Sequence, residues 1–405
     1  MGSGNRRTVA TAFVATSLLA TVVACGSSSP GAPGAAPASS TQAEAHVHGA
    51  PPPPAAPLRD GERFLEVGLS RPYKPVPPEG GTDEYRCFLA DPKLTEPAFL
   101  TGSQFLPQNA AIVHHAILYR VAASAVERAH EVDAKSDGDG WQCFGGAGLG
   151  SDLDSFTGKS SGTAFVGAWA PGAKEELIGE RTGFPLEPGS QIILQVHYNL
   201  LSTGGNSGPT DQSTMRLRLL PGTAQVTPLT GQLLPAPIEL PCTSAESGPL
   251  CDREAAIEDL VKRTGSDART TVYGLNYVCN KGAAPTAGST QHCDIPMRQP
   301  MLLYAVAPHM HLLGRAIKIE LNPDKPGARA LLDQPTYDFD NQSMQLLPQP
   351  VQLNRGDTIR VTCTHDAALR SQLPELKPLK PRYVVWGDGT SDEMCLGILV
   401  GTAKS

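Results

Sequence analysis

Short apolar runs broken by Gly and Pro recur along this chain from about residue 60 onward. The clearest are AIVHHAILYR (111–120), QIILQVHYNL (191–200), TMRLRLL (214–220), MLLYAVA (301–307), AIKIEL (316–321), DTIRVTCT (357–364) and RYVVWG (382–387). Many alternate apolar with polar positions, the period-two signature of strands buried on one face. Helical spacing is confined to 123–135 and to DREAAIEDLVKR at 252–263. Many short strands separated by turns predict an all-β protein built of antiparallel sandwiches rather than α/β units. Two segments echo each other, LEPGSQIILQVHYN (186–199) and LNRGDTIRVTCTHD (353–366), each a Gly turn feeding a strand. We therefore expect two similar sandwiches, residues 58–225 and 226–405, divided near GTAQVTPLTGQLLP (222–235).

The N-terminal end has a different pattern. MGSGNRR is a basic start, and residues 8–24 form an apolar stretch ending in small residues before Cys25. That stretch is shorter than the ~20 residues a membrane span requires, so it reads as a targeting signal over 1–24. Val22-Val23-Ala24-Cys25 resembles a bacterial lipobox, in which the cysteine becomes the lipidated first residue. An ordinary secretory signal is the alternative, and both export the protein. Export with a lipid on Cys25 implies a cell-envelope location, periplasmic or outer-surface, with membrane attachment through the anchor. Residues 25–57 then form a Gly/Ser/Pro/Ala tether that cannot bury a core. His46 and His48 stand in it without a third ligand in view.

Charge narrows the partners. Removing the signal removes Arg6 and Arg7 and moves the formal charge from -7 to -9. An acidic chain without basic runs argues against nucleic acid. We expect a monomer acting on a small molecule. Beyond Cys25 the cysteines are Cys87, Cys143, Cys242, Cys251, Cys279, Cys293, Cys363 and Cys395. An even count in an exported chain predicts four disulfides, with connectivity open.

Histidines supply the candidate chemistry. In QIILQVHYN, the residues Ile192, Leu194, Val196 and Tyr198 share one strand face, while Gln195, His197 and Asn199 share the other. His197 should therefore point away from the sandwich core, toward a polar surface. His309 and His311 are two apart and project to one side, with Ala305 and Ala307 leaving room beside them. Adjacent His114 and His115 would face opposite ways on a regular strand and could share a metal only at a bulge or strand end. Met394, in GDGTSDEMCLG (387–397), offers a thioether, which favours copper over zinc. Asp392 and Glu393 beside it read as the solvated shoulder of a turn.

The ordered segments EYRC (84–87), VHHAILY (113–119), LQVHYN (194–199), HMHLLG (309–314), VTCT (361–364) and SDEMC (391–395) resemble the copper type II, ascorbate-dependent monooxygenases. These are the relatives of peptidylglycine α-hydroxylating monooxygenase and dopamine β-monooxygenase. The resemblance runs from about Tyr85 to Leu399. It implies two tandem, jelly-roll-like β-sandwiches facing across a water-filled cleft, with one copper ion in each. His114, His115 and His197 would hold the electron-transfer copper. His309, His311 and Met394 would hold the catalytic copper that activates O2. Gln195 and Tyr85 match residues near the first copper, although a plain structural role fits both equally. Ascorbate, or another one-electron reductant, would be the co-substrate. The resemblance also implies the disulfides Cys87–Cys143 and Cys363–Cys395; the other four cysteines lack clear counterparts, and for them we expect Cys242–Cys251 and Cys279–Cys293.

Three positions depart from the peptide-amidating branch, where an Arg, an Asn and a Tyr grip the substrate. Here they are Ala307, Leu396 and Ile398, so a neutral or aromatic substrate is expected. His365 is assigned no role. A copper-binding envelope lipoprotein without turnover, or a purely structural β-sandwich lipoprotein, are the alternatives.

Overall fold

The computed structural model describes residues 52–77, 82–136, 139–143, 146–149, 162–169, 171, 173–200, 210–339, 342–373, 376–389 and 391–403. The expected signal segment, Cys25, and the tether as far as residue 51 with His46 and His48 lie outside the described residues. Among those described, no helix is long and apolar enough to cross a membrane.

The chain is mostly β-strand, with few helices, in several small antiparallel sheets. One sheet joins β1 (Arg63–Gly68), β10 (Thr214–Pro221), β3 (Ala98–Leu106), β8 (Thr182–Leu186) and β11 (Thr227–Pro228) in that order, with β7 (Glu176–Leu177) also on β3. A second has the order β5 (Trp141–Gln142), β2 (Asp83–Ala90), β9 (Gln191–Asn199), β4 (Val113–Val121) and β6 (Thr163–Trp169). Later in the chain, β12 (Thr230–Pro235), β21 (Cys395–Ala403), β15 (Met301–Met310) and β18 (Gln345–Leu353) form a third. A fourth orders β14 (Thr290–Pro296), β19 (Thr358–His365), β16 (Gly314–Leu321) and β17 (Arg329–Gln334). The short β13 (Glu239–Leu240) and β20 (Val384–Val385) pair by themselves, so the expected strand at 382–387 shrinks to two residues. Among the strand pairs of the described residues, β8–β11 alone is parallel, and an isolated parallel bridge joins Trp386 to Glu393.

Apolar burial follows this division. The first two sheets share one core, with Leu100, Leu118, Phe184, Ile193 and Leu217 at its centre. The other sheets share a second, around Leu303, Ile319, Val361 and Leu399. Strand β21 joins them. Its Leu396, Ile398 and Val400 pack into the first core, while Cys395 and Leu399 pack into the second. A strand buried on both faces reads as a continuous apolar run, which is what CLGILV at 395–400 is.

The helix Arg253–Thr264 begins at Asp252, whose side chain accepts from Ala255 N at 2.9 Å. Gly265, at φ 99°, ends it. The helix Asp267–Cys279 was not expected from sequence. Its residues DARTTVYGLNYVC are rich in β-branched and aromatic types with poor helix propensity. It forms because Ala268, Val272, Leu275 and Cys279 fall on one buried face, and Cys279 is bonded to Cys293 on β14. The other disulfides are Cys87–Cys143, Cys242–Cys251 and Cys363–Cys395, completing the expected set.

A candidate metal centre

Strands β4 and β9 run antiparallel with His115 opposite His197, and the register shifts between Val113 and His115. That irregularity resolves the difficulty of the adjacent pair: at a bulge, His114 and His115 can turn toward the same side. His115 Nδ1 lies 3.3 Å from His114 Nδ1 and 3.3 Å from His197 Nδ1. Two nitrogens on one metal ion, each at about 2.0–2.1 Å and separated by a near-tetrahedral angle, stand roughly that far apart. The three imidazoles together form a group able to hold a metal ion.

The surroundings of His197 differ from the sequence expectation. It points away from the apolar core, but to a covered site rather than a polar surface, and is only 1% exposed. Tyr85 is its cross-strand neighbour on β2, and the two rings stack at 4.1 Å. The Tyr85 hydroxyl lies 3.0 Å from His197 Nδ1. On the far side, His197 Nε2 meets Asp83 Oδ1 at 2.8 Å, and Asn199 donates to the same oxygen. A carboxylate on the outer nitrogen leaves Nδ1 as the inner ligand atom. Asp83 was missed, although it stands two residues before Tyr85 and so on the same strand face. Gln195 is placed elsewhere, donating to Gly146 O at 2.8 Å beside Cys143.

The second set stands where β15 ends. The β15–β21 ladder closes at Met310 opposite Cys395, so His311 and Met394 are the next residues on each strand. The Cys363–Cys395 bond ties that point to β19. His309 Nδ1 contacts Gln342 Oε1 at 2.6 Å, and His311 Nδ1 contacts the Asp392 carbonyl at 3.2 Å. Both rings are therefore oriented through Nδ1, while both Nε2 atoms are buried without a hydrogen-bond partner. Buried polar atoms are almost always satisfied, so a pair of unsatisfied imidazole nitrogens fits a metal ion.

Asp392 and Glu393 correct the reading of a solvated turn: they are 3% and 0% exposed. Asp392 receives both terminal nitrogens of Arg263, at 2.9 and 2.7 Å. Glu393 accepts from His311 N at 2.9 Å and from Leu313 N at 2.6 Å, shaping the HMHLLG turn from within. His365 acquires a role as well, with Nε2 3.4 Å from Glu393 Oε2. Acidic residues beside Gly look solvated in a sequence, and their basic partners here lie far away along the chain.

The two sets meet. Ring centroids of His115 and His309 are 5.8 Å apart, and those of His115 and His311 are 6.2 Å apart. The histidines are thus not separated by the expected water-filled cleft. A cavity of about 500 Å³ instead opens beside His115 and His309. Ala307, Leu396 and Ile398, the positions that depart from the peptide-amidating pattern, all line it.

Burial and neighbouring imidazoles push His115 well below the usual histidine range, and His309 down to about 3. His197 is also lowered by burial, against the pull of Asp83. Neutral imidazole is the metal-binding form. The sign for the metal-free protein follows. Unfolded histidines titrate near 6.5, so between that pH and the lower folded values the unfolded chain binds more protons. Stability therefore falls as pH drops below about 6.5. Glu176, raised to about 7 by burial, acts in the opposite direction. Urea midpoints at pH 7.5 and 5.5 should show a drop in wild type that is smaller in His309→Gln. Equal drops would contradict the assignment for His309.

Comparison with known proteins adds one informative match. Residues 275–400 match the family model described as "Copper type II ascorbate-dependent monooxygenase, C-terminal domain". No curated protein sequence matches the chain. Among solved structures, an allantoicase covers 75% of this chain and 86% of its own at 10% identity, with a TM-score of 0.19. The coconut allergen cocosin covers 84% and 86% at 9% identity, with a TM-score of 0.14. A point mutant of Bacillus subtilis oxalate decarboxylase covers 83% and 76% at 8% identity, with a TM-score of 0.13. Likenesses this low carry no argument.

Proposed function

We propose that this chain is a copper-dependent monooxygenase that uses O2 and a one-electron reductant such as ascorbate to hydroxylate a C–H bond of a small neutral or aromatic molecule. The observation that carries this reading is the pair of unsatisfied Nε2 atoms on His309 and His311, within the segment that matches the family's C-terminal domain. His114, His115 and His197 would hold one copper, and His309, His311 and Met394 a second. When bound, the two ions would supply single-electron transfer and O2 activation.

The chain's own residues do the rest. Gln342 and the Asp392 carbonyl orient the His309 and His311 rings, and Glu393 fixes the turn that carries them. Asp83 does the same for His197 through Nε2, with the Tyr85 ring stacked against it. The apolar wall of Leu396, Ile398 and Ala307 would seat an uncharged group beside His309 and exclude water from it. We read the two cores as tandem jelly-roll-like sandwiches, of residues 58–225 and 226–405. The mature protein would be a monomer, exported and held at the envelope by a lipid on Cys25.

The changed positions 307, 396 and 398 also suit a copper-binding lipoprotein that lacks turnover. Copper titration followed by ascorbate-driven O2 uptake against a panel of aryl and alkyl compounds separates the two. Two copper ions per chain with substrate-dependent uptake are expected. Two copper ions with slow reoxidation and no product would favour the non-catalytic reading, and no specific copper uptake would remove both.

A further inference from the structure

Besides His115, His309 and Gln342, the polar residues Lys174, Glu175, Glu176 and Ser343 line the cavity beside His309. Glu176, on the short strand β7, lines it together with apolar side chains including Trp169, Met344 and Leu346. Its carboxyl is enclosed by protein, and the half-buried residue is open only in part. Backbone N–H groups of Ala168 and Met344 donate to it. A carboxylate has about four acceptor positions, so two donors leave it half satisfied.

Several other buried carboxylates among the described residues face a cation, whereas Asp211 is held by neutral donors from Asn109, Tyr198 and Ser213. Glu62 and Glu175 flank Arg218, Glu239 meets Arg253, and Asp392 meets Arg263. Glu175, adjacent to Glu176, is fully committed, since both its oxygens accept from Arg218 and one also from Ala56 N. Among the described residues Glu176 has no basic partner. Burial outweighs its two donors and raises its carboxyl to about 7. An enclosed carboxyl without a counter-charge is costly unless something supplies hydrogen bonds. Gly167 brings no side chain against it; a Cβ there would lie 3.5 Å from Glu176 Oε2 and 3.0 Å from the Ser103 hydroxyl. The lip of the cavity is apolar, with Leu177 42% and Leu346 56% exposed.

We propose that Glu176 determines the specificity of this cavity, receiving the hydrogen-bond donor, hydroxyl or ammonium, at one end of an otherwise apolar molecule. That this molecule is the substrate rests on the monooxygenase reading; that the cavity binds it does not. Carboxylate-ended molecules are disfavoured, because they would place an anion against Glu176. The apolar walls take the body of the molecule and hold it beside His309, while Glu176 sets which end faces which way.

Calorimetric titration of the copper-loaded, unreduced protein at about pH 8.5, where Glu176 is ionised, with phenylbutanol, phenylbutylamine, phenylbutanoate and butylbenzene tests this. The alcohol, the amine or both should bind roughly tenfold tighter than butylbenzene, as expected for a hydrogen bond to a charged acceptor, and phenylbutanoate should be the weakest. Alcohol and amine distinguish the two donor types. Glu176→Leu should erase the donor preference to within about twofold, and Glu176→Gln should remove any advantage of the amine over the alcohol. Tightest binding by phenylbutanoate, no donor preference in wild type, or a preference that survives Glu176→Leu would each overturn the proposal. The wild-type comparison decides even if a variant fails to fold. Donor preference without O2 uptake would retire the monooxygenase reading and keep this one. Oxygenation of butylbenzene without donor preference would do the reverse.

Discussion

Met394→Ile should lower product formation by about 100-fold or more while copper at His114, His115 and His197 stays bound. Met394 is nearly buried, and isoleucine is close to it in volume, so the cost to folding should stay below about 1.5 kcal/mol. What is lost is the thioether, a soft ligand for reduced copper. The β15–β21 ladder brings Met394 to the strand end that carries His311, and Cys395 is clamped to Cys363. The backbone should therefore hold its place in the variant. X-ray absorption of the reduced protein should show a sulfur neighbour in wild type and none in Met394→Ile. Unchanged turnover with an unchanged spectrum would exclude Met394 as a ligand.

Glu393→Gln is expected to be more damaging to the fold. The two carboxylate oxygens each accept a backbone N–H, from His311 and from Leu313, and one also faces His365. A glutamine offers one acceptor and turns a donor toward the other N–H. Leaving a buried donor unsatisfied costs about 1–3 kcal/mol, and losing the charge opposite His365 adds to it. A loss of roughly 2–4 kcal/mol follows. Because Glu393 shapes the turn carrying His311, copper affinity at the second set should fall about 10–100-fold while the three-His set is untouched. The carboxyl is held below its usual range despite burial, with His365 and His311 as the causes, so its stabilisation is present above the unfolded carboxylate range and lost on acidification through the folded value. Urea midpoints and copper titrations at neutral pH check both effects. A variant with the wild-type midpoint and two copper ions bound would show that Glu393 does neither.

How much of this was legible in the sequence depends on distance along the chain. Strands, and the bulge that His114 and His115 need to share a metal, could be read because alternation and local spacing encode them, whereas positions 307, 396 and 398 stood out only through the resemblance to the peptide-amidating branch. The helix Asp267–Cys279 could not, since its propensity is poor and tertiary packing with one disulfide decides its state. Asp392 and Glu393 were misjudged because their partners, Arg263, His365 and the His311 amide, lie far from them in sequence. Asp83 was within reach of strand periodicity from Tyr85, whereas Gln342 and Glu176 carry no local signal. The proximity of the two histidine sets depends on how the two cores pack, which no spacing records.

Whether this chain inserts an oxygen atom from O2 into an organic substrate is tested most directly with isotope. Copper-loaded protein would be incubated with ascorbate, the compound panel and labelled ¹⁸O2, and the products read by mass spectrometry. A hydroxylated product carrying one labelled oxygen is predicted for wild type, and none for Met394→Ile. Ascorbate oxidation without any labelled product across the compound panel would contradict the monooxygenase reading.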